Sequence, residues 1–170
     1  MSWNSIEIRS FRLTLKPFTS FDSDEIFRYI TPTLTRYMSW DPPENRQEFD
    51  KIWHEWLDHI KNGQELICVI RNSNDNEFLG LVGLHKMQSE IPELGIWIRE
   101  DRHRLGLGQE AVKSIASWAS GNLKIKSFIY PVAVENFASR KIAESLGGTP
   151  YSYEKNRKYD SVTYLIPKII

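Results

Sequence analysis

The chain has 170 residues, of which 41% are hydrophobic and 26% are charged, and its formal net charge is zero. This composition is typical of one globular domain, and the neutral balance gives no reason to expect a nucleic-acid partner. No apolar run approaches the roughly 20 residues that a membrane-spanning helix needs, so we expect a cytoplasmic protein without membrane association.

The first part of the chain alternates between strand and helix signals. Apolar residues alternate with polar ones at the start, prolines interrupt the third segment, and Asn62-Gly63 ends an amphipathic helix. The predicted elements are, in order, a strand over 6–18 bent near Ser10, a short helix from residue 22 or 23, a loop or broken helix over 31–43, and a helix over 45–61.

The second part predicts a mixed sheet. Strands over 65–71, 77–87 and 91–99 are joined by short polar turns and should be antiparallel. The strand over 91–99, a helix over 107–120 and a strand over 124–134 form a βαβ unit, so these two strands should be parallel. A helix over 137–146 and strands over 149–154 and 160–167 complete the chain. We predict one α/β domain over 1–170, with a central sheet of about seven strands, mostly antiparallel with a parallel pair at its centre, and helices on both faces.

The turn between the central strand and the following helix has the properties of an anion site. It reads His-Arg-Leu-Gly-Leu-Gly over 103–108. Glycines allow backbone N–H groups to turn inward, and the free N–H groups and dipole of a helix N-terminus attract phosphate. Arg102 and Arg104 add positive charge. The turn therefore predicts a phosphorylated ligand.

A dinucleotide-binding protein is one alternative for the same turn. Gly106-x-Gly108-x-x-Ala111 matches part of that fingerprint, and Glu135 ends the next strand where a ribose-binding acid could lie. However, a six-residue charged run separates the glycines from the strand. A phosphate-loop NTPase is excluded because the chain has no Gly-Lys-Ser/Thr.

Two motifs resemble those of the GCN5-related N-acetyltransferase (GNAT) family, and more narrowly its RimJ/RimL-type branch. They are RHRLGLGQEA over 102–111 and VENFASRKIAESLGG over 134–148, and the opening strand of that branch is similar to RLTLKPF over 12–18. The family motif Gln/Arg-x-x-Gly-x-Gly/Ala falls on 103–108. The chain departs from the family at His103, where Gln or Arg is usual, and at Gly148, where an aromatic residue is usual.

The resemblance implies acetyl-CoA as cosubstrate, without a metal, and an amine acceptor. Backbone groups of the central strand should pair with pantetheine, aided by a bulge at Gly95, and the glycine turn should hold the pyrophosphate. Asn136 should bind the pantetheine arm or serve only as a helix cap. The implied cofactor-binding residues are Ile96, Trp97, Ile98, His103, Arg104, Leu105, Gly106, Leu107, Gly108 and Asn136.

The resemblance also suggests the catalytic groups. Ser139 is the candidate proton donor to the CoA thiolate. Glu93 is the candidate base, working through water, although it could instead only orient a cationic acceptor. A backbone N–H of the central strand should stabilise the tetrahedral oxyanion.

The acceptor is the least determined part of the function. Acids outnumber bases between residues 22 and 65, which favours a cationic acceptor. Tyr37, Trp40 and His85 are the candidate acceptor residues. Tyr37, Trp40 and Trp53 could stack on a planar or cationic group, or they could only pack. We expect a protein N-terminal α-amine as acceptor, and a monomer or homodimer. A small-molecule amine acceptor and a non-catalytic acyl-CoA-binding module stay open.

Overall fold

An eight-stranded mixed sheet organises the computed structural model, which describes residues 2–170. The strands are β1 Ile8–Arg9, β2 Leu13–Pro17, β3 Leu66–Asn72, β4 Phe78–His85, β5 Glu93–Ile98, β6 Ser127–Ala133, β7 Thr149–Lys155 and β8 Asp160–Pro167. The helices are α1 Ser23–Tyr29, α2 Pro32–Thr35, α3 Arg46–Lys61, α4 Leu107–Asn122 and α5 Phe137–Ser145. Short 3₁₀ turns lie at Trp3–Ser5, Ser20–Asp22 and Glu100–Arg102. Among the described residues, we find no helix with the length and apolar character to cross a bilayer.

The strand order is β1-β2-β3-β4-β5-β6-β8-β7, and β5–β6 is the parallel pair. This confirms the predicted mixed α/β sheet. There are eight strands because the segment predicted as one bent strand is a hairpin, in which Ile8 pairs with Leu15. The turn of that hairpin leaves the Phe11 side chain 95% exposed.

Helices cover both faces of the sheet, as predicted. On one face α4 packs against β1, β2, β4 and β5 through small and branched side chains such as Ala111, Val112 and Ile115. On the other face α1 and α3 contribute Ile26, Phe49 and Ile60 to a second core. The two apolar faces explain why β3 and β4 are almost continuously buried.

Local signals account for the helix starts. The Asn45 side chain caps α3 by accepting the Glu48 N–H at 2.9 Å. Thr31 caps the short helix α2 by accepting the Leu34 N–H at 3.1 Å, and Pro32 is its first residue. The segment predicted as loop or broken helix therefore contains one helical turn.

The predicted bulge at Gly95 is wrong. The β4–β5 register runs without interruption from Gly80↔Ile98 to His85↔Glu93, and it pairs Gly95 with Gly83. The irregularity lies instead between Ile70 and Arg71 in the β3–β4 pair. Gly95 lacks a side chain for a different reason, since a Cβ there would lie 3.3 Å from His85 Nε2.

Strands β5 and β6 separate soon after they meet. Their pairing is limited to Glu93↔Ile129, where the Ile129 N–H donates to the Pro92 carbonyl at 3.0 Å. On the other side of β5, the Arg99 N–H donates to Leu79 in the direction of β4. Peptide groups alternate in direction along a strand, so the backbone of Ile96 and Ile98 faces β6. A slot with backbone donors and acceptors on its β5 side therefore opens between the two strands.

Candidate active site

A cleft of about 600 Å³ lies where the two parallel strands separate. Its walls come from the segment before α3, from β4 and β5, and from β6 and α5. It brings together five of the residues predicted from the sequence to act on the acceptor or in catalysis, namely Tyr37, Trp40, His85, Glu93 and Ser139. Among the predicted cofactor-binding residues, Ile96, Trp97 and Asn136 also line it.

The glycine turn has the backbone geometry of an anion cradle. Gly106 caps α4 with a left-handed φ of +75°, and Arg104 also has a positive φ of +66°. Such turns direct successive N–H groups toward one point. Gly108 follows in the first turn of α4, where a Cβ would lie 3.1 Å from Ile142 Cδ1. The segment from His103 through Leu105 and Leu107 to Gly108 thus fits a phosphate group held by backbone donors.

The basic and imidazole side chains of this turn have other partners. His103 Nε2 donates to the Ile98 carbonyl at 2.7 Å, which ties the turn to the end of β5. Arg102 forms a bidentate pair with Glu77 at 2.7 and 3.2 Å. Arg102 therefore points to the β3–β4 turn, which corrects its expected contribution to the anion site. Arg104 is exposed.

Arg12 supports the turn, and the sequence analysis missed this role. Its Nη1 donates to the Leu105 carbonyl at 2.8 Å, and its Nε donates to Glu110 Oε1 at 2.7 Å. Glu110 Oε2 also accepts from Ser10 Oγ at 2.5 Å and from the Arg12 N–H at 2.8 Å. Burial would raise the pKa of the Glu110 carboxyl, but these hydrogen bonds outweigh it and lower the pKa. No local motif reveals a contact that joins residues about 98 positions apart.

Ser139 lies beside a buried tyrosine that the sequence analysis also missed. Tyr130 Oη and Ser139 Oγ are 2.5 Å apart. Burial raises the pKa of Tyr130 to about 12, and the hydrogen bond with Ser139 opposes this only in part. From the sequence, Tyr130 was only one residue of a predicted apolar strand. Its hydroxyl was the signal that could have indicated this contact, because a buried tyrosine needs a polar partner.

Asn136 is a helix cap that borders the cleft. Its Oδ1 accepts the Ser139 N–H at 3.3 Å, so it sets the first turn of α5 and the place of Ser139. The capping oxygen leaves the amide nitrogen for another acceptor.

The three predicted backbone partners of the central strand are not equivalent. The peptide groups of Ile96 face the slot, whereas those of Trp97 face β4, where Trp97 pairs with Leu81. The Ile98 carbonyl faces the slot side but accepts the His103 hydrogen bond. Ile96 is therefore the best placed of the three for backbone pairing with a ligand.

One side of the cleft is formed by a loop that Lys158 holds in place. Its Nζ donates to the Thr35 and Trp40 carbonyls at 2.8 and 3.0 Å and to Asp41 Oδ1 at 2.8 Å. Tyr37 and Trp40 lie on this loop. Of the two alternatives for Trp53, the structure favours packing, because Trp53 packs on Phe18 outside the cleft lining.

Three titratable side chains, those of Glu65, His85 and His59, meet at the edge of the cleft. Glu65 lies 2.9 Å from the Nδ1 atoms of both His85 and His59. Glu93 is directly opposite His85 in the β4–β5 register, and its Oε1 lies 3.6 Å from Lys86 Nζ. His85 and Glu93 were predicted from the sequence, whereas the contact of His85 with Glu65 was not.

Comparison with known proteins agrees with this geometry. A family model described as an acetyltransferase (GNAT) domain matches residues 12–149. The chain belongs to the GNAT family. An N-acetyltransferase 9-like protein from Caenorhabditis briggsae is 32% identical to it over 135 residues, which cover 73% of this chain and 65% of that relative. The chain thus spans slightly less than two thirds of the length of this curated relative.

Solved structures share the fold of this GNAT chain at low sequence identity. RimL, a ribosomal L7/L12 α-N-protein acetyltransferase solved with coenzyme A, has a TM-score of 0.85 at 16% identity and covers 95% of this chain and 98% of its own. Mycobacterium smegmatis RimJ has a TM-score of 0.85 at 16% identity, covering 98% and 88%. A spermidine N-acetyltransferase from Vibrio cholerae, solved with CoA and spermine, has a TM-score of 0.80 at 20% identity, covering 94% and 97%.

The family model confirms the resemblance to the GNAT family that the motifs indicated, and the RimL and RimJ structures share the fold of this chain. The dinucleotide alternative is wrong, because a sheet with a single parallel pair is not the doubly wound parallel sheet that such a site requires.

Proposed function

We propose that this GNAT chain transfers the acetyl group of acetyl-CoA to a primary amine by direct attack in a ternary complex. The observation that carries the proposal is the slot between β5 and β6. Its β5 side presents the backbone of Ile96, and the cleft beyond it contains Ser139 and His85.

Two segments of the chain suit the pyrophosphate and the pantetheine arm of acetyl-CoA. The backbone of the turn over 103–108 suits the pyrophosphate, since its N–H groups and the start of α4 form the cradle. The β5 edge suits the amides of pantetheine, which would add to it like a short strand. Asn136 borders the cleft, and its amide nitrogen would bind the same arm.

Ser139 and Tyr130 suit the departure of the thiolate. A tyrosine hydroxyl is ordinarily protonated near neutral pH, and burial raises the pKa of Tyr130 further, to about 12. When Tyr130 donates to Ser139 Oγ, the Ser139 hydrogen is available to the leaving sulfur. The Ile96 N–H, which faces the slot, is the candidate donor to the tetrahedral oxyanion.

A protein N-terminal α-amine is our proposed acceptor. The supporting observations are the RimL- and RimJ-like fold and a cleft lined by the carboxylates of Asp41, Glu65 and Glu93, which suit an ammonium group. Glu93 is placed either to orient that ammonium or to deprotonate it through water. The same carboxylates suit a small polyamine, as does the likeness to a spermidine acetyltransferase fold, so this is the second candidate.

A thiol-release assay with acetyl-CoA tests the function and separates the acceptors. The panel contains peptides with different free N-termini, the same peptides with blocked N-termini, polyamines, aminoglycosides and amino acids. We expect turnover with free but not blocked peptides, whereas turnover with small amines alone would contradict the peptide proposal. If no acceptor reacts while calorimetry still shows CoA binding, the chain is a non-catalytic acyl-CoA-binding module. The cytoplasmic location and the monomeric or homodimeric state remain predictions.

A further inference from the structure

One carboxylate holds two imidazole rings at the edge of the cleft. Glu65 Oε1 lies 2.9 Å from His85 Nδ1, and Glu65 Oε2 lies 2.9 Å from His59 Nδ1. Glu65 and His85 line the cleft, while the His59 side chain at the end of α3 is 40% exposed. The network therefore runs from the reaction cleft to the protein surface.

The protonation state of Glu65 determines the tautomer of both rings. The hydrogen bond with His85 lowers the pKa of the Glu65 carboxyl, burial opposes it, and the bond with His59 lowers the pKa further. An ionised carboxylate can only accept hydrogen bonds, so both imidazoles must carry a hydrogen at Nδ1. When neutral, His85 then has its lone pair at Nε2.

That Nε2 atom lies over the paired glycines of β4 and β5. A Cβ on Gly83 would lie 2.7 Å from His85 Nε2, and a Cβ on Gly95 would lie 3.3 Å from it. Two facing glycines thus make room for the ring. The ring leans from its own position opposite Glu93 toward the middle of β5, where the slot opens at Ile96.

We propose that His85 Nε2 is the general base that deprotonates the acceptor ammonium, with Glu65 and His59 as positioning residues. This inference rests on the proposed acetyl transfer. In this arrangement a carboxylate binds one nitrogen of the histidine ring, and the other nitrogen faces the reacting group. Glu65 holds the ring in the active tautomer and stabilises the imidazolium that forms.

The proton balance of the reaction closes with these groups. His85 Nε2 takes one proton from R–NH₃⁺, and the free amine attacks the acetyl carbonyl carbon to form a C–N bond. The C–S bond breaks when the tetrahedral intermediate collapses, and the thiolate takes the Ser139 hydroxyl hydrogen. The attacking nitrogen then releases its second proton, which restores the Ser139 hydroxyl. The His85 imidazolium, whose side chain is 32% exposed, returns its proton to water.

Several charged groups surround His85, and its ring is a better proton acceptor than the Glu93 carboxylate. Glu65, just before β3, contacts it, and His59 of α3 contacts Glu65 in turn. Glu93 faces it from β5, and Lys86 follows it in the chain. Asp41 lines the same cleft, bound to Lys158. Carboxyl groups ordinarily titrate near pH 4 and imidazoles near pH 6.5, so an imidazole is the better acceptor of an ammonium proton at neutral pH.

Kinetics of the whole chain with an active acceptor amine test the proposal. His85→Gln should lower kcat at pH 7 by about 10²- to 10⁴-fold, the usual contribution of general base catalysis, without changing the Kd for CoA. This loss should shrink as the pH rises toward the pKa of the amine, because free amine then no longer needs a base. His54→Gln is the matched control, since His54 stacks on Trp53 outside the cleft lining.

A spectroscopic measurement tests the positioning residues without reference to turnover. In ¹⁵N NMR spectra of wild type above pH 8, the His85 signals, assigned with His85→Gln, should show hydrogen on Nδ1 and a lone pair on Nε2. Glu65→Leu, which offers no acceptor to either ring, should remove that preference and lower kcat by about tenfold or more.

The outcomes separate this inference from the proposed function. Wild-type kcat and an unchanged pH profile in His85→Gln, with wild type active, would overturn the base assignment and leave acetyl transfer intact. A His85 with hydrogen on Nε2 would overturn it equally. A wild-type protein that acetylates no amine would overturn the proposed function, and the base assignment with it.

Discussion

The hydroxyl of Tyr130 and the hydroxyl of Ser139 form one unit, 2.5 Å apart, between β6 and the first turn of α5. Because Tyr130 is buried and stays protonated, it can hold Ser139 Oγ while the serine hydrogen faces the cleft. Tyr130→Phe should therefore lower kcat by about tenfold, and Ser139→Ala by about 10²-fold or more, with little change in CoA affinity.

Steady-state kinetics and calorimetry on the same preparations measure these effects. Tyr153→Phe is the control, since the Tyr153 side chain is 66% exposed on the edge strand β7. Unchanged turnover in Ser139→Ala would remove both hydroxyls from the mechanism.

Gly106→Glu should abolish CoA binding. The new side chain would occupy a left-handed φ of +75° and place a negative charge in the phosphate cradle. Gly121→Glu on the same helix is the control, because a Cβ there has no neighbour within 4 Å. Calorimetric titration with CoA measures both. Binding by Gly106→Glu at wild-type affinity would place the pyrophosphate elsewhere.

Arg12→Lys should weaken CoA binding by several-fold, although Arg12 lies behind the turn. A lysine cannot reproduce the guanidinium contacts that join the Leu105 carbonyl to Glu110. Arg9→Lys is the control, since its exposed side chain pairs with Glu7. Equal CoA affinity in the two variants would contradict a supporting role for Arg12.

The Glu110 carboxyl should make the free energy of unfolding depend on pH in the acid range. The pKa of its carboxyl is lowered in the folded chain, where Ser10 and Arg12 outweigh burial. A carboxyl whose pKa is lower in the folded than in the unfolded chain stabilises the fold at pH values above its unfolded pKa. This contribution is lost as the pH falls through the folded pKa. Glu110→Gln should cost about 1–3 kcal/mol near pH 7 and less in acid. Urea unfolding at pH 7 and pH 3 measures this, and a deficit equal at both pH values would contradict it.

Lys158→Ala should release the loop that carries Tyr37 and Trp40. Removal of the ammonium leaves the Thr35 and Trp40 carbonyls and Asp41 without their shared donor. We expect a higher KM for the acceptor and an unchanged Kd for CoA, with Lys155→Ala on the same hairpin as control. An effect confined to CoA binding would show that the loop does not form the acceptor wall.

The sequence by itself determined the features that depend on neighbours in the chain. Periodicity defined α3 and α4, Asn45 and Asn136 were recognisable caps, and the glycines of 103–108 marked the anion cradle. These signals are local, because a helix cap or a left-handed turn is formed by residues within a few positions. The motifs that carried the family resemblance are of the same kind.

Tertiary structure alone decided which distant side chains meet. It joined Arg12 to Glu110, placed Tyr130 on Ser139, and brought Glu65 between His59 and His85. It also showed that Gly95 makes room for the His85 ring instead of forming a bulge. Such contacts depend on strand register and on how helices pack across the sheet. Alternation along a strand indicates which of its faces is buried, but it does not say which residue of the neighbouring strand lies opposite or which helix packs on that face.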